Sequence, residues 1–596
     1  MRKVLRAPRF SSWIIPAIYA ALAVFMLRPI VAHPGSVLLG GWGDVQGVVW
    51  AIWARARGLF ESSTISMFGA PYGVPNSGVG LQPIYEFLLR VVSKWFGEVA
   101  GFNLLVFVSF PVTAYATFLF LARLIGDRPA AFLGGLIFGF CPAAVFHAAA
   151  GHLTFALNLF LPAFLAALFF NRDRRSLFSS ALLGMSYAML TLTCLYWGYY
   201  SLFIGCFFFA FDFWTSERGM RSMAVRSYLP AVILSGGILI CVLYPALHLQ
   251  VTAGTETLHK MGRIRDPYAL VVYSARFREY FLPPSTHPVF GRWAASILRA
   301  HLHESNVFEQ TLYLGLIPIA LCLVGFVLAS RGDLPPSRRT YFLFFTGGVA
   351  WMAFVSAPPF FRVESHRLPT LSYFMYRLAP MFRVYSRAGL IAVLFLAGAV
   401  AVVVAHLRSR LRKPWNDVLV VGSSLFLVFE YWCVPPGFFQ KLETPPVYQW
   451  LARQPGDIII AEYPMWVGDE LPQSTYLFWQ RAHGKRMVNG AIPSSGQAWD
   501  LSESVRDLSN PAVVGRLKEA GVSYVIVHGK GYSEGRIPAA LKPYFPSAMA
   551  DVPYDDGKPP VNALLPSPGM RFGSDVVYRL GEAVGGPDDP RDGRSR

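Results

Sequence analysis

The sequence predicts a polytopic α-helical membrane protein, with about eleven transmembrane helices and a C-terminal extracytoplasmic α/β domain. Three observations carry that prediction. Apolar residues make up 54% of the 596-residue chain and charged residues only 15%, with a mean hydropathy of +0.41. A soluble domain cannot hide so much apolar surface, whereas a bilayer solvates it. The apolar residues gather in eleven stretches, each near the length that a hydrocarbon core of about 30 Å demands. Arginines and lysines gather in alternate loops between the stretches, the asymmetry that sets membrane orientation.

The stretches run near 12–33, 99–122, 130–147, 154–170, 177–196, 199–215, 228–249, 311–330, 340–357, 388–406 and 418–434. Only Trp197 and Gly198 separate the fifth from the sixth, which predicts a tight hairpin or one kinked element. The N-terminus carries Arg2, Lys3, Arg6 and Arg9. Alternate loops carry Arg123 and Arg128; Arg172, Arg174 and Arg175; Arg218, Arg221 and Arg226; Arg331, Arg338 and Arg339; and Arg408, Arg410, Arg412 and Lys413. The short loops near 148–153 and 197–198 carry none. The N-terminus is therefore expected in the cytoplasm, and an odd number of spans puts the C-terminal region outside. The first stretch contains Arg28 and Pro29 and ends without a small-residue cleavage site, unlike a removed signal peptide.

The net charge of +18 follows from this topology and from anionic headgroups. No basic stripe with interleaved aromatics points to nucleic acid, and no phosphate-binding glycine pattern points to an ATP-driven pump. Cys141, Cys194, Cys206, Cys241, Cys322 and Cys433 lie in or beside the spans, without a CxxC pair, and read as small apolar fillers.

The expected organisation is a transmembrane domain over 1–434, with outer loops 34–98, 250–310 and 358–387, then an α/β domain over 435–584 and a disordered tail over 585–596. Short strands are expected at Asp457–Glu462, Arg486–Val488, Val522–Val527 and Asp575–Leu580. Helical patterns fall between them, at Pro446–Gln454 and Asn510–Ala520. The tail, GGPDDPRDGRSR, has the composition of a segment without a core. The loop 250–310 is rich in Tyr, Pro and Arg, and its length suits a lid over a cavity.

The first outer loop holds the clearest candidate for chemistry. Gly40–Gly43 allow a turn, Asp44 then opens an amphipathic helix, and Trp50, Trp53 and Phe60 suit a membrane interface. Asp44 can be a helix N-cap, or a carboxylate held at the membrane surface as a general base.

Spread along the chain are Gly43-Asp44-Val45-Gln46, Phe68–Pro75 (FGAPYGVP), Ala150-Gly151-His152-Leu153, Phe308–Gly315 (FEQTLYLG) and Phe382–Arg387 (FRVYSR). Val447–Gly456, Glu462-Tyr463-Pro464 and Val488-Asn489-Gly490 follow. In order and spacing, and in the plan of a first span, an acid-led outer loop, many spans and an outer C-terminal domain, the chain resembles the GT-C membrane glycosyltransferases, most closely their bacterial YfhO-like branch. The resemblance implies sugar transfer from a polyprenyl-phosphate-linked donor to a glycan, glycolipid or polymer acceptor, with inversion, at the outer face of a bacterial inner membrane. Asp44 matches the family's catalytic carboxylate. Arg383 and Arg387 are then expected on the donor phosphate, whose oxygens suit the guanidinium fork, although both could simply snorkel to headgroups. Arg276 and Arg278 are the second choice. Tyr72, Glu86, His152 and Glu309 are the candidate substrate-binding residues. Each has a plainer reading: a turn for Tyr72, a structural hydrogen bond for His152, a helix cap or an arginine partner for Glu309. No cofactor is certain: some branches of the family hold a divalent metal, and the absence of a second acid beside Asp44 counts against one here. A lipid flippase or transporter, or a non-catalytic assembly protein, is the alternative. Few central charges and no internal repeat weigh against a transporter.

Overall fold

Long runs of Leu, Val, Phe and Ala fold as helices because a helix satisfies each backbone N–H and C=O within itself, which hydrocarbon surroundings require. The computed structural model describes residues 11–40, 44–76, 82–252, 254, 256, 258, 267–301, 303, 305–363, 366–434, 436–465, 473–508, 510–529, 565 and 569–580; the tail expected at 585–596 lies outside the described residues. The helices used below are α1 (Ser11–Met26), α2 (Asp44–Ala56), α3 (Pro83–Phe96), α4 (Glu98–Ile125), α5 (Arg128–Gly139), α6 (Pro142–Ala149) and α7 (Phe160–Arg174). They continue as α8 (Leu177–Thr193), α9 (Leu195–Thr215), α10 (Arg221–Thr252), α11 (Val307–Gln310), α12 (Leu316–Ser330), α13 (Pro336–Val355), α14 (Ala388–Arg410) and α15 (Trp415–Glu430). The last four are α16 (Pro446–Ala452), α17 (Gln473–His483), α18 (Gln497–Ser504) and α19 (Ala512–Glu519).

The chain forms two compact units. Described residues up to Gly40 and from 82 to Gln440 belong to the first; 44–76 and those from Lys441 onward belong to the second.

Each apolar stretch of the first unit overlaps a helix. Among the described residues, five helical segments are long and apolar enough to cross a membrane: Glu98–Ile125, Arg128–Ala149, Leu153–Arg174, Arg218–Tyr244 and Tyr385–Arg410. Trp13–Met26, Leu177–Thr193 and Leu316–Ser330 are apolar but shorter. The centre is α14, which is apolar on every side and buried from Ala388 to His406. Small residues let its neighbours close on it: a Cβ on Gly398 would lie 2.3 Å from the Phe345 ring, and one on Gly348 would lie 2.1 Å from Phe395.

Two helix breaks differ from the sequence expectation. Pro142 cannot continue the helix before it, so the stretch 130–147 divides into α5 and α6 around Phe140 and Cys141. The fifth and sixth stretches part at Cys194 (φ −155°, ψ 116°), not at Trp197-Gly198, which lie inside α9. The result is a hairpin. Gly198 lets α9 close on Thr191 of α8, where a Cβ would sit 2.5 Å away, and the Tyr187 hydroxyl donates to the Gly198 carbonyl at 3.1 Å.

This connectivity gives α7–α10 two distinct ends. At one, Trp197 Nε1 donates to the Thr154 carbonyl and to Asn158 Oδ1, both at 2.9 Å, close to His152 in sequence. At the other, Asn171 Nδ2 donates to the Ser227 carbonyl at 3.2 Å, and buried Asp212 meets Arg172 and Arg175 at 3.3 and 3.0 Å. The arginine-rich loops thus gather at the end opposite His152. All six cysteines are unpaired and belong to the first unit; Cys141, Cys194 and Cys433 are buried.

The second unit is built on a five-stranded sheet. Its strands are β1 (Ile459–Tyr463), β2 (Arg486–Met487), β3 (Val522–His528), β4 (Met570–Phe572) and β5 (Asp575–Arg579), in the order β4-β5-β3-β1-β2. β1 runs parallel to β2 and β3, while β5 pairs antiparallel with β3 and β4. Buried Val513 and Leu517 of α19 close one face with Val525, Val527 and Ala461.

Part of the segment 34–98 belongs to this unit. Trp50 Nε1 of α2 donates to Gln480 Oε1 at 2.9 Å, and the Thr475 hydroxyl donates to Gln46 Oε1 at 2.7 Å, so α2 lies along α17. The following segment flanks β2: Met487 N donates to the Met67 carbonyl at 3.1 Å, and Ala70 N to the Met487 carbonyl at 2.9 Å.

Candidate functional site

A buried polar cluster stands at the histidine end of the first unit. It starts with α6, whose last turn carries His147, 1% exposed. Gly151, at φ +84°, reverses the chain, a conformation that costs other residues a Cβ clash. His152 N then donates back to the His147 carbonyl at 2.8 Å, and the two Nδ1 atoms lie 3.3 Å apart. The next residues place Phe155 against the His147 ring, centroid to centroid 5.1 Å.

The acid comes from α11. Asn306 caps this short helix by accepting from Glu309 N at 3.1 Å. Glu309 Oε1 accepts from Arg387 Nε at 3.0 Å and Nη2 at 2.6 Å, while Oε2 accepts from the Ser386 hydroxyl at 3.1 Å. Burial pushes the Glu309 carboxyl up, but the Arg387 guanidinium and the two histidines outweigh it and hold the group at about 2, ionised at any physiological pH. Arg387 is clasped between the rings of Phe155 and Tyr196, at 4.4 and 4.9 Å from their centroids. Its Nη1 takes no part in the bonds to Glu309.

The FRVYSR segment is pinned at three points ahead of Arg387. The Tyr200 hydroxyl donates to the Val384 carbonyl at 2.8 Å, Ser386 N donates to the Tyr273 carbonyl at 2.9 Å, and Tyr199 stacks on Phe382 at 4.2 Å. Arg383 lies 5.3 Å over the Tyr273 ring. Arg276 joins a separate link: its N–H donates to Glu279 Oε2 at 2.8 Å, and Glu279 Oε1 lies 2.7 Å from His303 Nε2. Arg278 Nη2 donates to the His301 carbonyl at 2.6 Å.

The candidates named from sequence therefore fall in several places. His152, Glu309 and Arg387 come together, and Arg383 lies four residues earlier on the same segment as Arg387. Glu86 occupies the first turn of α3, half-buried. Asp44 and Tyr72 belong to the second unit: Asp44 is the exposed first residue of α2, and Tyr72 is 49% exposed in the turn between Gly69 and Gly73. His147 escaped sequence reasoning. Its signal was its spacing to His152 across a glycine, which reads as nothing until Gly151 turns the chain.

The donor atoms of His147, His152 and Glu309 all lie within 4.8 Å of one another, a set of the type that holds a divalent cation. The charge matches less well than the donors. Glu309 is already balanced by Arg387, and a dication there would face the guanidinium.

A second buried cluster closes the carboxyl ends of β1 and β3. His528 Nε2 lies 2.8 Å from Glu462 Oε2 and its Nδ1 lies 3.3 Å from Asp575 Oδ1, while the Tyr448 hydroxyl donates to Glu462 Oε2 at 2.6 Å. Burial lowers the His528 imidazole, but hydrogen bonds that it donates to Asp575 and Glu462 prevail and raise it to about 9. Nearby, burial lowers His483 to about 4. Three of the sequence motifs meet at this sheet. Gly69 N donates to the Asn489 carbonyl at 3.0 Å, and Asn489 exchanges two 2.8 Å bonds with the Glu462 backbone. These motifs build the scaffold.

No family profile and no curated protein sequence matches the chain. Solved structures do. An archaeal oligosaccharyltransferase from Archaeoglobus fulgidus, solved with an inhibitory peptide and a dolichol-phosphate, superposes with a TM-score of 0.50 at 12% identity, covering 90% of this chain and 73% of its own. The arabinofuranosyltransferase AftD from Mycobacteria superposes with a TM-score of 0.52 at 14% identity, covering 97% of this chain, which spans 40% of AftD. At such identities the likeness is one of fold: the chain shares its architecture with these two transferases.

Proposed function

We propose that this protein transfers a sugar from a polyprenyl-phosphate-linked donor to a glycan, glycolipid or polymer acceptor, with inversion at the anomeric carbon. The observation that carries the reading is the buried Arg387–Glu309 pair, set beside two histidines at the loop end of helices whose fold two glycosyltransferases share. In the proposed reaction the acceptor oxygen bonds to the anomeric carbon as the carbon–oxygen bond to the lipid phosphate breaks. The lipid phosphate leaves with the bonding electrons, and Asp44 takes the acceptor's proton. The Nη1 corner of Arg387 and the guanidinium of Arg383 meet the phosphate oxygens. Glu309 is a positioning residue that fixes the Arg387 fork. Glu86, Tyr72 and His152 are proposed to contact substrate. The reaction is placed on the extracytoplasmic face of a bacterial inner membrane, on the side away from the arginine-rich loops. The YfhO-like branch remains the proposed affiliation.

The test is transfer from a panel of polyprenyl-phosphate sugars into a membrane extract. Asp44→Asn is expected to lower transfer by about 10²–10⁴-fold, the range for a general base, while the protein elutes and melts as wild type does. Equal transfer by wild type and Asp44→Asn would move the base elsewhere. Absence of transfer with every donor would sink the reading.

A further inference from the structure

Between α7, α8, α9 and α10 runs an apolar groove of about 510 Å³. Phe164, Leu183 and Tyr187 line its wall, with Gly205 and Gly236 along it. Leu202 and Val232 line it too, and are 51% and 65% exposed, so it opens sideways between α9 and α10. From Tyr228 to Leu239 it follows α10 for about 16 Å, at 1.5 Å per residue. A lateral opening at this depth admits hydrocarbon and excludes water.

The end of the groove has a charge. Tyr228 lines the groove, and its hydroxyl donates to Asp212 Oδ2 at 3.0 Å. Asp212 is shared by Arg172 and Arg175, whose side chains are 21% and 9% exposed. Arg221 lies 5.0 Å over the Phe213 ring, which stacks on Phe209, another groove residue. Arg175 Nη1 and Arg221 Nε are shut off from solvent with no hydrogen-bond partner among the described residues. An unpaired buried donor on a charged group is costly. Six arginines (172, 174, 175, 218, 221 and 226) stand in these loops against Asp173, Asp212 and Glu217. Arg175 also holds φ +45°, the one described non-glycine residue in the left-handed region.

We infer that this is a binding site for an anionic phospholipid, one acyl chain in the groove and the phosphate on Arg172, Arg175 and Arg221. The leaflet is the one facing the arginine-rich loops. The site is separate from the His147–Arg387 cluster and does not depend on the transfer reaction.

The experiment is native mass spectrometry of the full-length protein in detergent, titrated with chain-matched phosphatidylglycerol and phosphatidylcholine and with a polyprenyl phosphate. Phosphatidylglycerol is expected to bind at least about 10-fold more tightly than phosphatidylcholine, a difference of about 1.4 kcal/mol. Gly205 and Gly236 have open space where a Cβ would go, so Gly205→Leu/Gly236→Leu starts both side chains into the groove without a clash at Cβ and should weaken phosphatidylglycerol about 10-fold. Arg221→Gln, at the helix start, should abolish the preference between the two headgroups and keep chain binding. Equal binding of both phospholipids, or wild-type binding by the filled variant, would overturn the site. Tighter binding of the polyprenyl phosphate, lost on filling, would overturn the phospholipid assignment and give the groove to a prenyl chain. Arg221→Gln alone decides the headgroup question if the filled variant does not fold.

Discussion

Glu309 and Arg387 show how a buried charge is tolerated. Taking one partner away leaves the other charge uncompensated, which costs about 3–5 kcal/mol, whereas replacing both with apolar groups is often neutral. Glu309→Leu and Arg387→Met are each expected to lower the melting temperature in detergent strongly, and the double variant to regain most of that loss. Additive losses would mean that the pair is not coupled. Because Arg387 already balances Glu309, transfer activity is expected to survive dialysis against a chelator; loss restored by a divalent cation would instead assign His147, His152 and Glu309 to a metal. His528 gives a pH dependence in the second unit. Its folded value of about 9 lies above the ordinary 6.5, so its stabilisation is complete below pH 6.5 and disappears as pH rises through about 9. By linkage that is worth about 3 kcal/mol. Melting curves from pH 6 to 10 should show the decline, and His528→Gln should flatten it.

Among the elements, α12 depends on a partner far away in sequence. Its first residues offer N–H groups that no turn of helix can satisfy. Glu430, at the end of α15, accepts from Leu316 N at 2.6 Å, Ile317 N at 3.2 Å and the Tyr313 hydroxyl at 3.0 Å. Glu430→Ala leaves three donors stranded and is expected to cost about 1–3 kcal/mol for each one that stays shielded from water. Glu430→Gln, which keeps an acceptor, should cost less than half of that by thermal unfolding. Elements of this kind mark the limit of sequence reading. Long apolar runs placed the helices, and short apolar runs placed β1 and β3, because both patterns are local. That the long stretch at 311–330 begins its helix only at Leu316 depends on Glu430, more than a hundred residues away. The Cys194 break was out of reach for a similar reason: Gly198 looks like a turn residue, but here it serves close packing. Three of the four members of the buried cluster could be named in advance, since His152, Glu309 and Arg387 sit in motifs. His147 could not, because only the folded turn at Gly151 brings it in.

At the scale of the molecule, the segment 34–98 divides between two units. Residues 44–76 fold with residues from Lys441 onward, burying Trp50, Trp53 and Phe68. Removing the chain after Gln440 is therefore expected to strand these side chains and cause aggregation in detergent. Replacing 44–76 by a short linker in the same truncation should restore a monodisperse peak on size-exclusion chromatography. If the simple truncation is already monodisperse, the loop does not need its partner. Contiguity in sequence hid this division, since nothing in a single chain marks which distant segment a loop will join.

The cysteine distribution has a practical use. The second unit offers no native thiol, and those of the first lie within or beside apolar helices. A charged, membrane-impermeant maleimide added to intact cells would thus meet almost no background. Ser62, in the second unit, and Ser337, beside Arg338, are both exposed. Labelling of Ser62→Cys from outside the cell, with Ser337→Cys silent until the cells are broken, would give the sidedness of the whole chain from two gel lanes.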